Sequence, residues 1–382
     1  MLHFLRIAME AIAALGAVCG CVYSLLGWWA ARDFLRSRPA PSDFAPPVTI
    51  LKPLKGADPG MYDSFRSHCL QDYPEYELIF GVDNAEDAAA AEVRRLQQEF
   101  PQRAIRLVVC EQLLGANVKV SNLAQMLPHA RYPHLLVNDS DIRVEPDYLR
   151  SVMRHFADPQ VGMVTCLYRG VGGGSLGATL EALGISTDFA AGVLTARWLE
   201  GIRFGLGSTL AFSRAALQAI GGFEPLLDYL ADDYELGARI AQSGRGVVLA
   251  DAVVEHRLPP YTMDGFVAHQ LRWNRAIRDS RPRGYAGLAL TFALPWAMLA
   301  LLLSWGATWA WVVLADAAVM RLLVSWTVGR SVLRDRHLAR SLWLLPLRDA
   351  VAMALWAGGF AGQRIVWRGR QFLLQNGKLR PI

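Results

Sequence analysis

The apolar run His134–Asn138 (HLLVN) leads directly into Asp139-Ser140-Asp141. A strand ending in Asp-x-Asp sets two carboxylates near one point. Hard divalent cations such as Mg2+ or Mn2+ take oxygen ligands of this kind and bridge to phosphates. Other polar groups follow other apolar runs. Lys52-Pro53-Leu54-Lys55-Gly56 follows Val48–Leu51, Asp83 follows Glu77–Val82, and Leu230-Ala231-Asp232-Asp233-Tyr234-Glu235 lies further on. Taken singly, an Asp after a strand is more often a helix cap or a turn residue, and Asp87 reads as a plain cap or surface charge. No Walker A sequence or G-x-G-x-x-G fingerprint is present, and Gly172-Gly173-Gly174 reads as a loop, so P-loop and dinucleotide chemistry are disfavoured.

These groups need a scaffold that brings strand ends together. Runs at Val48–Leu51, Glu77–Val82, Ala104–Cys110, His134–Asn138, Val161–Leu167 and Gly246–Ala250 read as strands, with helical patterns at Ala85–Glu99 and Gln112–Leu127 between them. The alternation predicts an α/β domain over 48–258 with a mostly parallel sheet covered on both faces. Ligands of such sheets bind beyond the carboxyl ends of the strands, where the polar residues above lie.

The rest of the chain is apolar. Hydrophobic residues make up 53% and charged residues only 19%, against roughly 25% charged in a soluble domain. A net charge of +5 is too small for a nucleic-acid partner. The five cysteines are scattered, without C-x-x-C, which disfavours a disulfide framework. Ala11–Ala31 is uncharged and long enough to span a bilayer, with Trp28, Trp29, Arg32, Arg36 and Arg38 at its cytoplasmic end. Ala286–Ala315 reads as one segment at 286–304, a turn near Gly306, and a second segment at 307–328 that carries Asp316 and Arg321, which are expected to pair. Ala350–Gln363 is uncharged for only 14 residues, so the stretch at 342–363 reads as interfacial or re-entrant. With basic clusters at Arg278–Arg283, Arg330–Arg340 and Arg364–Arg380, three crossings follow, N-terminus out and C-terminus in. The expected division is an anchor at 1–38, a catalytic domain at 48–258, an interface helix at 259–285 and a membrane region at 286–382. In that interface helix Phe266, Gln270, Trp273 and Ile277 share one face, with Arg272, Arg275 and Arg278 beside it, as on a helix lying on anionic lipid.

Together these stretches resemble the family-2-type membrane glycosyltransferases, with a GT-A-type nucleotide-sugar-binding domain. The similarity is greatest to the ceramide glucosyltransferase group and its bacterial hopanoid-associated relatives. It is carried by Ile50–Gly56 (ILKPLKG), Asn117–Leu123 (NVKVSNL), Asn138–Val144 (NDSDIRV), Ala178–Glu181 (ATLE), Ala231–Tyr234 (ADDY) and Arg272-Trp273, in order along almost the whole chain. The resemblance implies that Asp83 contacts the uracil or ribose of a UDP-sugar, with Pro53, Lys55 and Lys119 beside the donor. It implies that Asp139 and Asp141 hold a divalent metal at the diphosphate and that Asp233 is the catalytic base. Asp232 is the competing candidate for that role. Arg272 and Trp273 match the family's Arg-Trp pair, and His269 stands where Gln or Arg is usual, at a donor-binding position. His256, after the last strand, reads either as a further metal ligand or as a hydrogen-bonded loop histidine.

The implied reaction is inverting transfer of a sugar to a membrane-lipid hydroxyl on the cytoplasmic side of a bacterial inner membrane. N-acetylglucosamine to a hopanoid polyol leads; glucose to ceramide is the alternative. A polysaccharide synthase would need more membrane helices, and a non-enzymatic scaffold would have no use for the ordered acidic set.

Overall fold

The strands begin where apolar runs can be covered on both faces. In the computed structural model, which describes residues 1–37, 42–58, 60–172, 174–367 and 369–382, eight strands form one sheet. They are β1 (Val48–Pro53), β2 (Tyr76–Val82), β3 (Ile105–Val109), β4 (His134–Val137), β5 (Ile142–Arg143), β6 (Val161–Gly172), β7 (Leu210–Ser213) and β8 (Gly246–Leu258), in the order β3-β2-β1-β4-β7-β6-β8-β5. Arg38 and Gly173, named above, and Arg368 of the basic cluster Arg364–Arg380 lie outside the described residues.

β3, β2, β1 and β4 run parallel, and β7 and β6 continue the sheet antiparallel. Every residue of β1 and β2 is buried, as expected for parallel strands with helices on both faces. β1 has β2 on one side and β4 on the other, with Pro53 opposite Gly81 and Leu51 opposite Val137. The chain order reverses there, so the carboxyl ends of β1, β2 and β4 open one crevice. Helices start later than the apolar pattern alone suggests, because caps set their ends. The Asp87 carboxylate accepts the Ala89 N–H at 2.8 Å and starts the helix Ala88–Glu99. The Asn117 side chain accepts the Val120 N–H at 3.2 Å and starts Val118–Met126.

The chain forms two compact units that interleave along the sequence. The α/β unit comprises Pro39–Val171, Ile202–Pro259 and Val366–Ile382; the apolar unit comprises Met1–Arg38, Gly172–Gly201 and Pro260–Ile365. The linear division read from the sequence therefore differs at two places. Gly172–Gly201, which carries the helical run Leu176–Glu200, groups with the apolar unit, and Val366–Ile382 groups with the α/β unit. Beyond β9 (Arg364–Trp367), β10 (Arg370–Gln375) and β11 (Lys378–Pro381) form an antiparallel hairpin. Its tight turn is Asn376-Gly377, both at positive φ (51° and 77°), the pair that such hairpin turns favour.

In the apolar unit, His3–Arg36 and Thr308–Val332 are long and apolar enough to cross a membrane. Pro282–Thr291 and Ala293–Leu303 make a third span if this pair, bent by 56°, is counted as one. The expected straight segment over 286–304 is thus broken. Pro295 sits in the first turn of the second helix, where its missing N–H removes no bond. The turn near Gly306 is present, with Trp305 and Gly306 at positive φ. The helix Leu345–Gly359 is only about 22 Å long at 1.5 Å per residue, short of the ~30 Å core of a bilayer.

Arg321 does not pair with Asp316. Five residues along a helix turn a side chain about 140° away from its neighbour. Arg321 instead meets Asp349 of Leu345–Gly359 in a two-point contact, Nε to Oδ2 at 2.8 Å and Nη2 to Oδ1 at 2.9 Å.

Candidate active site

At the carboxyl end of β4, Asp139 reaches Lys119. The Lys119 Nζ lies 2.7 Å from Asp139 Oδ1 and 3.3 Å from Asp232 Oδ2. Asn117, two residues earlier, donates from its amide to Asp232 Oδ1 at 3.3 Å and to the Tyr229 carbonyl at 2.7 Å. Burial works against a charged Lys119, but Asp139, Asp232 and Asp233 outweigh it and hold the ammonium protonated.

Asp233 opens the helix Asp232–Gln242. Its Oδ2 accepts the Gly207 N–H at 2.8 Å and its Oδ1 accepts the Tyr234 N–H at 2.8 Å. Burial first, then the neighbouring Asp232 charge, push its carboxyl up to about 6, with Lys119 pulling the other way. A Cβ placed on Gly207 would stand 3.2 Å from both Asp139 Oδ2 and Asp233 Oδ2. The bare backbone of Gly207 is what lets the two carboxylates face one small volume. Asp232 is thus the acid tied to Lys119 and Asn117, and Asp233 is the acid held by backbone donors.

Two further pairs line the same sheet edge. β5 pairs with β8 so that Ile142 is opposite His256, and this register sets the His256 Nε2 3.0 Å from Asp141 Oδ2. Burial raises the Asp141 carboxyl, but His256 and Lys52 overcome it and hold it below the usual range. Beyond β1 and β2, Lys55 Nζ meets Asp83 Oδ2 at 2.5 Å. Lys52, fully buried in β1, donates to the Asp139 carbonyl at 2.9 Å. Burial pulls its ammonium down to about 7, partly offset by Asp139 and Asp141.

The residues fit a divalent cation in their chemistry. Asp141 Oδ1 is buried with no hydrogen-bond partner among the described residues, and Asp139 offers a half-exposed carboxylate at the same strand end. Among the described residues no three His, Cys, Asp or Glu side chains already form a closed ligand set, so oxygens of a bound diphosphate would have to complete the shell.

The remaining expected site residues belong to the apolar unit. The helix Met263–Ser280 is capped by Thr262, whose hydroxyl accepts the Gly265 N–H at 3.1 Å. On it His269 Nδ1 lies 3.1 Å from Glu181 Oε2, and the Glu181 side chain is wholly buried. The imidazole is flanked by Tyr261, with ring centroids 5.3 Å apart, and by Trp273 at 4.9 Å. Arg275 and Arg278 donate to carbonyls at Gly359, Ala361, Gly362 and Arg364, at and just beyond the end of Leu345–Gly359. Those two cations, expected at a lipid surface, are spent on a helix C-terminus, where positive charge is favourable.

Residues 12–380 match the sequence family Glycosyl transferase family 21. The chain belongs to that family. Ceramide glucosyltransferase 1 of Caenorhabditis elegans is 26% identical over 251 residues, 64% of this chain and 53% of its own length. Ceramide glucosyltransferase 3 of the same organism is 24% identical over 229 residues, 60% of this chain and 50% of its own. The chain thus spans about half the length of these curated relatives. The mannosyltransferase PcManGT from Pyrobaculum calidifontis, solved with GDP-Man and Mn2+, superposes with a TM-score of 0.57 at 25% identity, covering 89% of this chain and 99% of that one. The α/β unit accordingly has the GT-A-like fold, and the family 21 chain is a membrane protein with two to three spanning helices.

Several site residues of this family 21 chain were not legible in advance. Gly207 carries no motif signal of its own, Lys52 reads in the sequence as following the first strand and lies inside it, and the strands of the last residues look like a basic tail. Leu230 donates its N–H to the Gly377 carbonyl at 3.0 Å, and Leu379 donates to the Asp228 carbonyl at 2.7 Å. The hairpin thereby staples the loop that leads into Asp232 and Asp233. Asn117 was visible within NVKVSNL, and its polar side chain three residues before Val120 is an ordinary cap signal.

Proposed function

We propose that the chain transfers a hexose from a nucleotide diphosphate sugar to a hydroxyl of a membrane lipid, with inversion at the anomeric carbon. The observation that carries this reading is the Asp233 carboxylate, buried, held by two backbone N–H groups and poised near 6 across Gly207 from Asp139. A carboxylate so shifted is a competent proton acceptor near neutral pH. Asp233 would take the proton of the acceptor hydroxyl as its oxygen attacks the anomeric carbon. The bond from that carbon to the diphosphate oxygen breaks on the opposite face, through an oxocarbenium-like transition state.

A divalent cation held by Asp139, Asp141 and His256 would supply charge neutralisation at the diphosphate. Lys119 keeps Asp139 and Asp232 compensated, so that Asp233 is the acid left to accept a proton. Asp83 and Lys55, with Pro53 beneath them at the end of β1, are the proposed contacts to the nucleoside. Arg272, Trp273 and His269 are proposed participants on their match to the family's pattern.

The names of the curated relatives support glucose and ceramide as donor sugar and acceptor. They favour that pair over N-acetylglucosamine and a hopanoid polyol, for which only the sequence resemblance speaks. Arg32 and Arg36 after the first span support a cytoplasmic α/β unit.

The test is transfer by the purified full-length chain with Mn2+ or Mg2+. UDP-glucose and UDP-N-acetylglucosamine are each offered with ceramide and with a hopanoid polyol, and products are read by mass spectrometry. Glucosylceramide is the expected product; sugar on the hopanoid alone would overturn the acceptor. Asp233→Asn is expected to lower kcat about 10²–10⁴-fold with the UDP-sugar Kd unchanged. Loss of donor affinity instead would reassign Asp233 to donor binding.

A further inference from the structure

The apolar unit contains a polar recess. Tyr23 and Ser24 of the helix Leu2–Arg36, Thr187 and Asp188 of the turn Ile185–Phe189, Arg321 of Thr308–Ser325 and Asp349 of Leu345–Gly359 line it. It leaves about 20 Å3 for the centres of water-sized groups. A single water needs roughly 10–15 Å3, so a hydroxyl or an amide fits.

The charges around the recess cancel. Arg321 and Asp349 form the two-point pair described above. The rest of the guanidinium is occupied as well, with Nη1 donating to the Thr187 carbonyl at 2.7 Å and Nη2 to the Thr187 hydroxyl at 3.2 Å. Asp188 faces Arg348 at 3.4 Å. No uncompensated cation is left for an anion, while the hydroxyls of Tyr23 and Ser24 add neutral donors and acceptors to the wall.

Its placement suits an amphiphile. Ser24 lies about 12 Å along the helix axis from Arg32, which marks the basic end of that span, so the recess sits inside the hydrocarbon layer, on the side of the basic end. A polar hollow at this depth is unfavourable unless polar groups fill it. Thr187 and Asp188 reach it from a π-helical turn, a distortion that collects at functional sites. That turn also exposes the Thr187 carbonyl that Arg321 takes.

We propose that this recess binds the uncharged polar part of the acceptor lipid, a hydroxyl or amide group, and so selects neutral amphiphiles over phosphate-bearing ones. The proposal rests on the lipid-transfer reading above and specifies its acceptor class.

The test uses the full chain in nanodiscs with UDP-glucose, ceramide and a short polyprenyl phosphate. Ceramide is expected as the acceptor, with no transfer to the polyprenyl phosphate. The double variant Tyr23→Phe/Ser24→Ala is expected to raise the ceramide KM about tenfold, as for two net hydrogen bonds, with the UDP-glucose KM unchanged. An unchanged ceramide KM would mean the recess holds only water and would overturn the proposal. Preferred transfer to the polyprenyl phosphate would overturn it too. If the double variant does not fold, cross-linking of a photoreactive ceramide to the wild-type chain replaces it. Labelled peptides containing Tyr23 or Thr187 support the recess, and labels confined to other segments contradict it. Absence of transfer to any lipid, with UDP bound, would instead contradict the function proposed above, and the cross-linking result would still decide the recess.

Discussion

Two buried charge clusters, one in each unit, follow opposite designs. In the apolar unit, Arg321 and Asp349 match one cation to one anion in a two-point contact, and the remaining guanidinium donors go to Thr187 and Ser325. In the α/β unit, Asp139, Asp232 and Asp233 gather round a single ammonium, Lys119. The first cluster is electrically closed and holds helices together. The second carries surplus negative charge, and burial together with that surplus pushes the Asp233 carboxyl up to about 6. Incomplete compensation in a buried site marks where a ligand or a proton is meant to arrive.

The closed cluster is the easier to break. Arg321→Met leaves Asp349 buried without its partner and is expected to destabilise the fold by about 3–5 kcal/mol, read as a lower Tm. Adding Asp349→Leu should recover most of that loss. A double variant no better than the single would show that the pair is more than a closed structural unit.

The open cluster should respond in activity. Lys119→Met removes the one charge that opposes the upward shift of Asp233. The base works ionised, so in the wild type kcat/KM is lost as pH falls through about 6. In the variant that acid limb should move to higher pH, with kcat/KM at pH 6.5 about threefold lower for the first unit of displacement and nearer tenfold for a further unit. An acid limb that stays in place would detach Lys119 from Asp233. The same shift acts oppositely on stability. A folded carboxyl above its ordinary 3.8 contributes most at pH below 3.8 and loses that contribution as pH rises through about 6.

The smallest effect tests the hairpin that staples the Asp233 loop. A Cβ at Gly377 would meet the Tyr229 ring at 3.2 Å, whereas Gly369, at the same positive φ, has nothing within 4 Å. Gly377→Ala should lower kcat several-fold with donor Kd unchanged, on the order of 1 kcal/mol of lost positioning. Gly369→Ala strains its turn alike and should leave kcat alone. Equal effects would make the hairpin merely structural.

What was legible in the sequence divides along similar lines. Local patterns served well. The strands β1, β2 and β4 are where the apolar runs place them, and Asp83 and Asp139 follow strand ends of the same sheet because parallel strands put their carboxyl ends together. Asp87 is the cap it resembled, and its carboxylate also accepts the Gly56 N–H at 3.0 Å, a contact the local pattern did not show. What escaped depends on contacts far apart in sequence. Asp349 as the partner of Arg321, Gly207 between Asp139 and Asp233, and the hairpin of β10 and β11 against Leu230 each require the fold to be known. The pairing expected for Asp316 and Arg321 fails on helical geometry. The helices over 172–201 sit between β6 and β7, so nothing in chain order separated them from the soluble middle.

The most direct measurement is calorimetric binding of UDP to the full-length chain with and without Mn2+, for the wild type and Asp139→Ala. If the surplus carboxylates exist to receive a metal-bound diphosphate, UDP binds the wild type only with the cation present. Asp139→Ala should then lose that dependence and about tenfold or more in affinity. Equal UDP affinity in chelator and in Mn2+, unchanged in Asp139→Ala, would contradict that role for the open cluster.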